Sequence, residues 1–357
     1  MARIELVNLG HRYASHLPYA LQPQSLVWDD GGAYALLGPS GCGKTTLLNI
    51  ISGLLIPSDG QVRFDGQDVT RLPTEQRNIA QVFQFPVIYD TMTVFDNLAF
   101  PLRNRKVPER EVKSRVQEIA EILDLTGELK RRASGLSAED KQRISLGRGL
   151  VRKDVAAVLF DEPLTVIDPH VKWLLRRQLK RIHQQLKLSL VYVTHDQVEA
   201  LTFADQVVVM YEGQVVQSGP PQALFETPEH TFVGHFIGSP GMNLLPCDVA
   251  EQGVRLADHT LPIATDHLSR LRATGQPITL GIRPEFIRRA QADDALVLTA
   301  QVHRLEDLGT YRLLTAQIGG HLLSAKLGEH EQIDTPQIRL AFEPGRVMFY
   351  ANGQRVA

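Results

Sequence analysis

The sequence predicts an α/β chain of two domains, an alternating strand–helix region over residues 1–238 and a small β-rich region over residues 239–357. Three observations carry this. In LLGPSGCGKTTLLNIISGLL, Leu36 to Leu55, an apolar run stops at Gly38 and an apolar helix pattern starts after Lys44. Two further apolar runs, Val155 to Phe160 and Ser189 to Val193, end abruptly in polar residues, as buried parallel strands do. Around Gly238-Ser239-Pro240-Gly241 the composition changes to short apolar stretches separated by glycine turns.

Composition sets the outer limits. A chain of 357 residues suits two or three domains, and 43% hydrophobic residues fill real cores. A formal net charge of −2 argues against a global preference for nucleic acid or an anionic membrane. Cys42 and Cys247 make no disulfide scaffold, so a reducing compartment is the simpler expectation. The start MARIELVNLGHRY has no long apolar segment, and no run approaches the roughly 20 apolar residues that span a bilayer. The expected protein is soluble, or held to a membrane only through partners.

In chain order, Ile4 to Leu9 alternates as a strand, and Leu26 to Trp28 reads as a second before the Asp29-Asp30-Gly31-Gly32 turn. Tyr13 lies between them, where a buried ring and a ring stacked on a purine are both reasonable. Ala33 to Leu37 reads as a buried strand and Thr45 to Leu55 as a helix. The intervening Gly38 to Thr45 fits G-x-x-x-x-G-K-[ST] in the context that motif needs. Gly38, Gly41 and Gly43 let backbone N–H groups curl around an anion, at a helix N-terminus that adds partial positive charge. Lys44 is then expected to reach phosphates and the Thr45 hydroxyl to ligate Mg²⁺.

Pro57 to Gly60 is a turn, and Gln61 to Phe64 with Asp65-Gly66 a hairpin arm. Ile79 to Phe83 reads as a strand ending at Gln84, followed by the apolar loop Phe85-Pro86-Val87-Ile88-Tyr89. From about 91 to 150 helical periodicity takes over, with Val112, Val116, Ile119, Ile122 and Leu123 sharing one face of a helix from Pro108 to Leu125. Val155 to Phe160 then runs into Asp161-Glu162, acids placed where open α/β sheets put ligands. Asp161 is expected to support Mg²⁺ and Glu162 to polarise a water, although a helix-capping acid pair is the plainer alternative. Pro169 opens a helix with Val171, Leu174, Leu175, Leu179, Ile182 and Leu186 on one face. The next strand ends at Thr194-His195-Asp196, where His195 is either structural or a contact for a γ-phosphate. Gln206 to Met210 and Gln214 to Gln217 form a hairpin. Ile278 to Ile282, Ala295 to Val302, Tyr311 to Ile318, Leu322 to Leu327 and Arg346 to Tyr350 then predict a small all-β barrel or sandwich.

Taken together, Gly38 to Thr46, Gln84, Gly135 to Asp140, Val158 to Glu162, Asp168 and His195 resemble the successive motifs of ATP-binding cassette (ABC) ATPases. Gly238 to Asn243 and Gly281-Ile282-Arg283-Pro284-Glu285 resemble the OB-like (TOBE) regulatory domain of bacterial carbohydrate-importer ATPases. The resemblance implies a P-loop, RecA-like core with antiparallel β and helical subdomains, and ATP and Mg²⁺ bound between two subunits. It implies that Tyr13 stacks on adenine and that Gly38, Pro39, Ser40, Gly41, Cys42, Gly43, Lys44, Thr45 and Thr46 hold the phosphates. Thr45, Gln84 and Asp161 would serve the metal, Glu162 would be the general base, His195 would position the γ-phosphate, and Asp168 would communicate across the dimer. Phe85 to Phe95 would dock a helix of integral-membrane permease subunits at the cytoplasmic face of the cell membrane, with a solute-binding protein acting indirectly.

One departure stands out. The family's L-S-G-G-Q signature reads Leu136-Ser137-Ala138-Glu139-Asp140 here, which replaces both glycines and puts acids where a neighbour's polyanion should rest. The expectation is a heterodimer in which this chain's phosphate loop works with another ATPase's signature, while Ser137, Ala138 and Glu139 face a weak site. The phrases PVIYDTMTVFDNLAFPLRNR and FDEPLTVIDPH most resemble the paired ATPase subunits of bacterial glycerol importers. A soluble clamp acting on nucleic acid or in translation is the rival. It predicts tandem cassettes, a long coiled-coil insertion or a basic groove, none of which the sequence displays.

Overall fold

A computed structural model describes residues 2–165 and 167–356. Val166, within the FDEPLTVIDPH phrase, lies outside the described residues. The chain divides into two compact units, one up to Pro221 and one from Gln222 onward.

The first unit begins with an antiparallel sheet of order β2-β1-β4-β5, built from β1 (Ile4–His11), β2 (Leu21–Trp28), β4 (Asp59–Phe64) and β5 (Gln67–Asp68). The second strand is longer than the predicted Leu26 to Trp28. Its first half, Leu21-Gln22-Pro23-Gln24, hides behind a proline that an edge strand tolerates.

The second sheet has the order β10-β9-β3-β8-β7-β6. Its members are β3 (Ala33–Leu37), β6 (Ala80–Val82), β7 (Val158–Asp161), β8 (Leu190–Thr194), β9 (Gln206–Tyr211) and β10 (Gln214–Gly219). All pair in parallel except β10, which returns antiparallel at the edge. The apolar run Val155 to Phe160 is strand only from Val158. Val155 and Ala157 are buried nonetheless, so burial rather than strand pairing explains their apolarity.

Around these sheets lie α1 (Lys44–Ser52), α2 (Val94–Asn104), α3 (Glu109–Ile122), α4 (Ala138–Leu150), α5 (Pro169–Leu186) and α6 (Gln197–Phe203). The α3 stripe is as expected, with Val112, Val116, Ile119 and Leu123 fully buried. On α5, Leu175, Leu179 and Ile182 are buried but Leu174 is exposed, which corrects the predicted stripe; the Leu186 side chain lies outside the described set. At the end of α1, buried Arg77 donates to the carbonyls of Ile50 (2.6 Å) and Ile51 (3.0 Å), so a guanidinium satisfies groups that helix geometry leaves open.

The division falls at the first residue of α7 (Pro221–Glu226), and α8 (Thr231–Phe236) follows in the second unit. Two sheets follow, and one helix, α9 (Thr265–Ala273), accompanies them. The first sheet, in the order β13-β12-β11-β14-β20-β21, contains β11 (Asn243–Val249), β12 (Gly253–Leu256), β13 (His259–Pro262), β14 (Ile278–Ile282), β20 (Met348–Ala351) and β21 (Gln354–Arg355). The other, in the order β15-β19-β16-β17-β18, contains β15 (Ile287–Arg289), β16 (Val297–Asp307), β17 (Arg312–Ile318), β18 (His321–Leu327) and β19 (Gln337–Phe342). One apolar core of Leu245, Leu280, Leu298, Leu314, Leu340 and their neighbours joins them. Arg283, from the Gly281 to Glu285 motif, is fully buried and donates to Phe225 and Ile237 carbonyls beside the Phe225 ring. Burial pulls its pKa down to about 10.

Candidate functional site

Parallel register places several loops at one sheet edge. Leu37 pairs with Thr194, Asp161 with Val193, and Val82 with Phe160, so the segments after β3, β6, β7 and β8 all leave from the same side. This is the carboxyl edge at which open α/β sheets bind ligands. The cleft here has a volume of ≈ 480 Å³, within the range of small-molecule and cofactor sites. Tyr13, Ser40, Gly41, Gly43, Lys44, Thr45, Thr46, Gln84, Asp161 and Glu162 line it.

The phosphate loop is possible only with glycine at two tight points. Gly43 has φ +99, and a Cβ there would stand 2.6 Å from the Ala20 carbonyl oxygen; at Gly38 it would stand 2.3 Å from that of Met210. Lys44 is buried, and its ammonium donates to the Gly38 and Pro39 carbonyls at 2.8 and 2.9 Å. Gly38 and Pro39 thus hold the lysine rather than line the cleft. Cys42 is buried in the core, and burial pushes its thiol pKa up, so its side chain adds no reactive group to the cleft.

Thr45 Oγ1 donates to Asp161 Oδ1 at 3.2 Å. Burial raises the Asp161 pKa, and the Thr45 hydrogen bond opposes that rise. A hydroxyl, a carboxylate and the Gln84 amide give an oxygen donor set, which fits Mg²⁺ completed by phosphate and water. Among the described residues no cluster of three His, Cys, Asp or Glu forms a metal site.

Glu162 follows the strand in a left-handed conformation, φ 46, unusual for a residue with a side chain. Its carboxylate lies 3.0 Å from His195 Nδ1, and Thr165 Oγ1 donates to it at 3.3 Å. The imidazole thus reaches the cleft through Glu162. Tyr13 is 64% exposed, and its hydroxyl shares a hydrogen bond of 2.9 Å with Thr46 Oγ1, leaving the ring available for stacking.

Ser137, Ala138 and Glu139 are not among the residues lining this cleft, and neither is Asp168. Ser137 caps α4. Its Oγ accepts from the Asp140 backbone N–H at 3.1 Å and donates to Asp140 Oδ2 at 2.8 Å, while Glu139 pairs with Arg143. The acidic signature forms its own capping arrangement.

Sequence reading missed the ties around α4. Lys141 meets Asp90 at 3.1 Å, Arg148 stacks over Tyr89 and donates to the Val87 carbonyl, and Asn97 bonds both backbone groups of Tyr89. Gln142, fully buried, donates to the Pro163 carbonyl at 2.5 Å, joining α4 to the turn after Glu162. A buried amide in the middle of a helix was the available signal. The side chains of Phe85 (67% exposed), Val87 and Tyr89 remain on the surface.

The profile described as ABC transporter matches residues 21–165, and that described as MalK OB fold domain matches residues 238–287. The chain is 42% identical to the trehalose/maltose import ATP-binding protein MalK of Thermococcus litoralis, covering 90% of this chain and 89% of that one. It is 39% identical to the sn-glycerol-3-phosphate import ATP-binding protein UgpC of Bordetella avium, over 90% of this chain and 88% of the relative. Among solved structures, cbiO1 of Clostridium perfringens, part of the ABC transporter complex cbiONQ, superposes with a TM-score of 0.58. That match has 26% identity and covers 63% of this chain and 90% of that one.

Proposed function

The chain belongs to the ABC transporter family, and from that premise we infer that it is the ATP-hydrolysing subunit of an importer, coupling ATP binding and hydrolysis to solute uptake through membrane permease partners. It works peripherally at the cytoplasmic face of the cell membrane. Nucleotide binding is assigned to residues 1–238 and regulation to residues 239–357, functional limits that count residues 222–238 with the first although they pack in the second compact unit. A clamp acting on nucleic acid finds no support among the relatives described.

The observation that carries the catalytic reading is the Glu162 carboxylate at 3.0 Å from His195, beside the cleft that holds Lys44 and Asp161. Tyr13 stacks on adenine, the 38–46 loop receives the phosphates, and Lys44 leaves its carbonyl partners for the β- and γ-phosphates. Thr45, Gln84 and Asp161 would hold Mg²⁺, which would supply neutralisation of charge on the phosphate oxygens. Glu162 takes the proton of the attacking water, and His195 orients both Glu162 and the γ-phosphate. Glu162→Gln should lower hydrolysis about 10²- to 10⁴-fold while ATP still binds and a closed dimer accumulates. Lost binding with hydrolysis intact would contradict this role.

The solute belongs to the sugar, polyol or glycerol class. Relatives named for trehalose/maltose and sn-glycerol-3-phosphate import support the class, and the two phrases at 86–105 and 160–170 favour glycerol. Uptake assays on a polyol and sugar panel with the co-purified membrane complex decide it. The exposed Phe85, Val87 and Tyr89, braced by Arg148, suit a permease helix.

The second subunit is an unlike ATPase. Supporting this, Ser137 spends its hydroxyl on Asp140, and the first turn of α4 carries Glu139 and Asp140, a poor receptor for a neighbour's phosphates. Turnover by the chain alone, with candidate partners, and after Ala138→Gly, Glu139→Gly and Asp140→Gln together tests the arrangement. Full activity as a homodimer, unchanged by the triple substitution, would sink it.

A further inference from the structure

The turn that carries His195 is held from behind by a buried carboxylate. Glu199, on α6, is 4% exposed, and one of its oxygens accepts from Thr194 Oγ1 at 2.8 Å and from Tyr192 OH at 3.1 Å. Thr194 Oγ1 in turn accepts from the Asp196 N–H at 3.0 Å. Asp196 caps α6 by accepting from Val198 and Glu199 N–H groups at 2.8 and 3.2 Å. Both neighbours of His195 are therefore fastened to α6, while the His195 side chain itself stays half exposed.

Glu199 has a second attachment. Its other oxygen lies 3.7 Å from Lys172 Nζ, and the Lys172 backbone N–H donates to the Asp168 carbonyl at 2.9 Å in the first turn of α5. Desolvating a carboxylate is costly unless donors and an opposite charge surround it, and Tyr192, Thr194 and Lys172 supply them. Packing alone would be served as well by an apolar side chain. A carboxylate shared between α5 and β8 instead makes the position of His195 depend on the position of Asp168.

We propose that Glu199 is a positioning residue that, with Lys172, links the Asp168 turn to the His195 turn. A neighbouring subunit that shifts Asp168 thereby shifts Lys172, Glu199 and Thr194, and sets His195 against Glu162. The inference rests on the ATPase reading, and acts through His195 without contact to nucleotide.

The test uses the full chain, isolated and in its assembled complex, as wild type and as Lys172→Met, Lys172→Arg and Glu199→Gln. Lys172→Met keeps the side-chain stem and removes only the charge. It should lower kcat about 10- to 100-fold with KM and affinity for a fluorescent ATP analogue unchanged, as misplacing a catalytic group does. Lys172→Arg should restore most of the loss. In the isolated chain, the His195 ring signals in NMR should move in Lys172→Met and Glu199→Gln and return in Lys172→Arg. An unchanged kcat and unmoved His195 signals in Lys172→Met would overturn the link, as would equal losses in both Lys172 variants with lowered melting temperature. If the wild-type complex hydrolysed no ATP, the ATPase reading would fall, while the NMR comparison would still decide the link.

Discussion

Two helix N-termini in the same domain are built in opposite ways. At α1 the cap is Gly43, with no side chain on the exposed N–H groups and no acid in the first turn. At α4 the cap is Ser137, its oxygen is bonded to the Asp140 N–H, and Glu139 and Asp140 occupy the first turn. The same macrodipole is available at both ends. What differs is whether the chain itself answers it: α1 leaves its donors for an external anion, and α4 satisfies them with its own side chains. Anion-binding capacity thus comes from withholding local partners, not from the helix alone.

Substitutions can push each end toward the other. The largest effect belongs to Gly43→Ala. Its Cβ would press on the Ala20 carbonyl in a left-handed backbone, which should cost about 1–3 kcal/mol of stability and abolish nucleotide binding. Unfolding curves together with titration of a fluorescent nucleotide measure both. Retained affinity would mean the loop needs less glycine than its geometry implies. A smaller effect is expected for Ser137→Ala, where losing the cap costs about 1 kcal/mol and leaves nucleotide binding at this chain's own cleft unaltered. Denaturant unfolding reads the first quantity, and a reduced affinity in the isolated chain would tie α4 to α1 in a way the comparison denies.

The strand, turn and helix at the α1 end were legible in the sequence because they are local, although the helix stops at Ser52 before Gly53 rather than at Leu55, and the docking of Lys44 on the Gly38 and Pro39 carbonyls was not legible. The α4 end was legible as chemistry, since Ala138 and Glu139 are visible departures, but not as geometry. Nothing in the order Ser137-Ala138-Glu139-Asp140 reveals that the hydroxyl is bonded in both directions. Residues that act across long separations escaped altogether. Glu199 lies on a seven-residue helix too short to show a period, and Lys172 joins it only after β8 has returned beside α5. In the β domain, β12 and β13 have four residues each and β13 ends in Pro262, so neither alternation nor composition marks them clearly.

The two carbonyl contacts of Lys44 bear on what holds the phosphate loop in its curve. An ammonium docked on Gly38 and Pro39 staples the first residue of α1 back to the segment that follows β3, so the curve between strand and helix is held by the chain's own bonds. A segment pinned in this way has little backbone freedom left to lose.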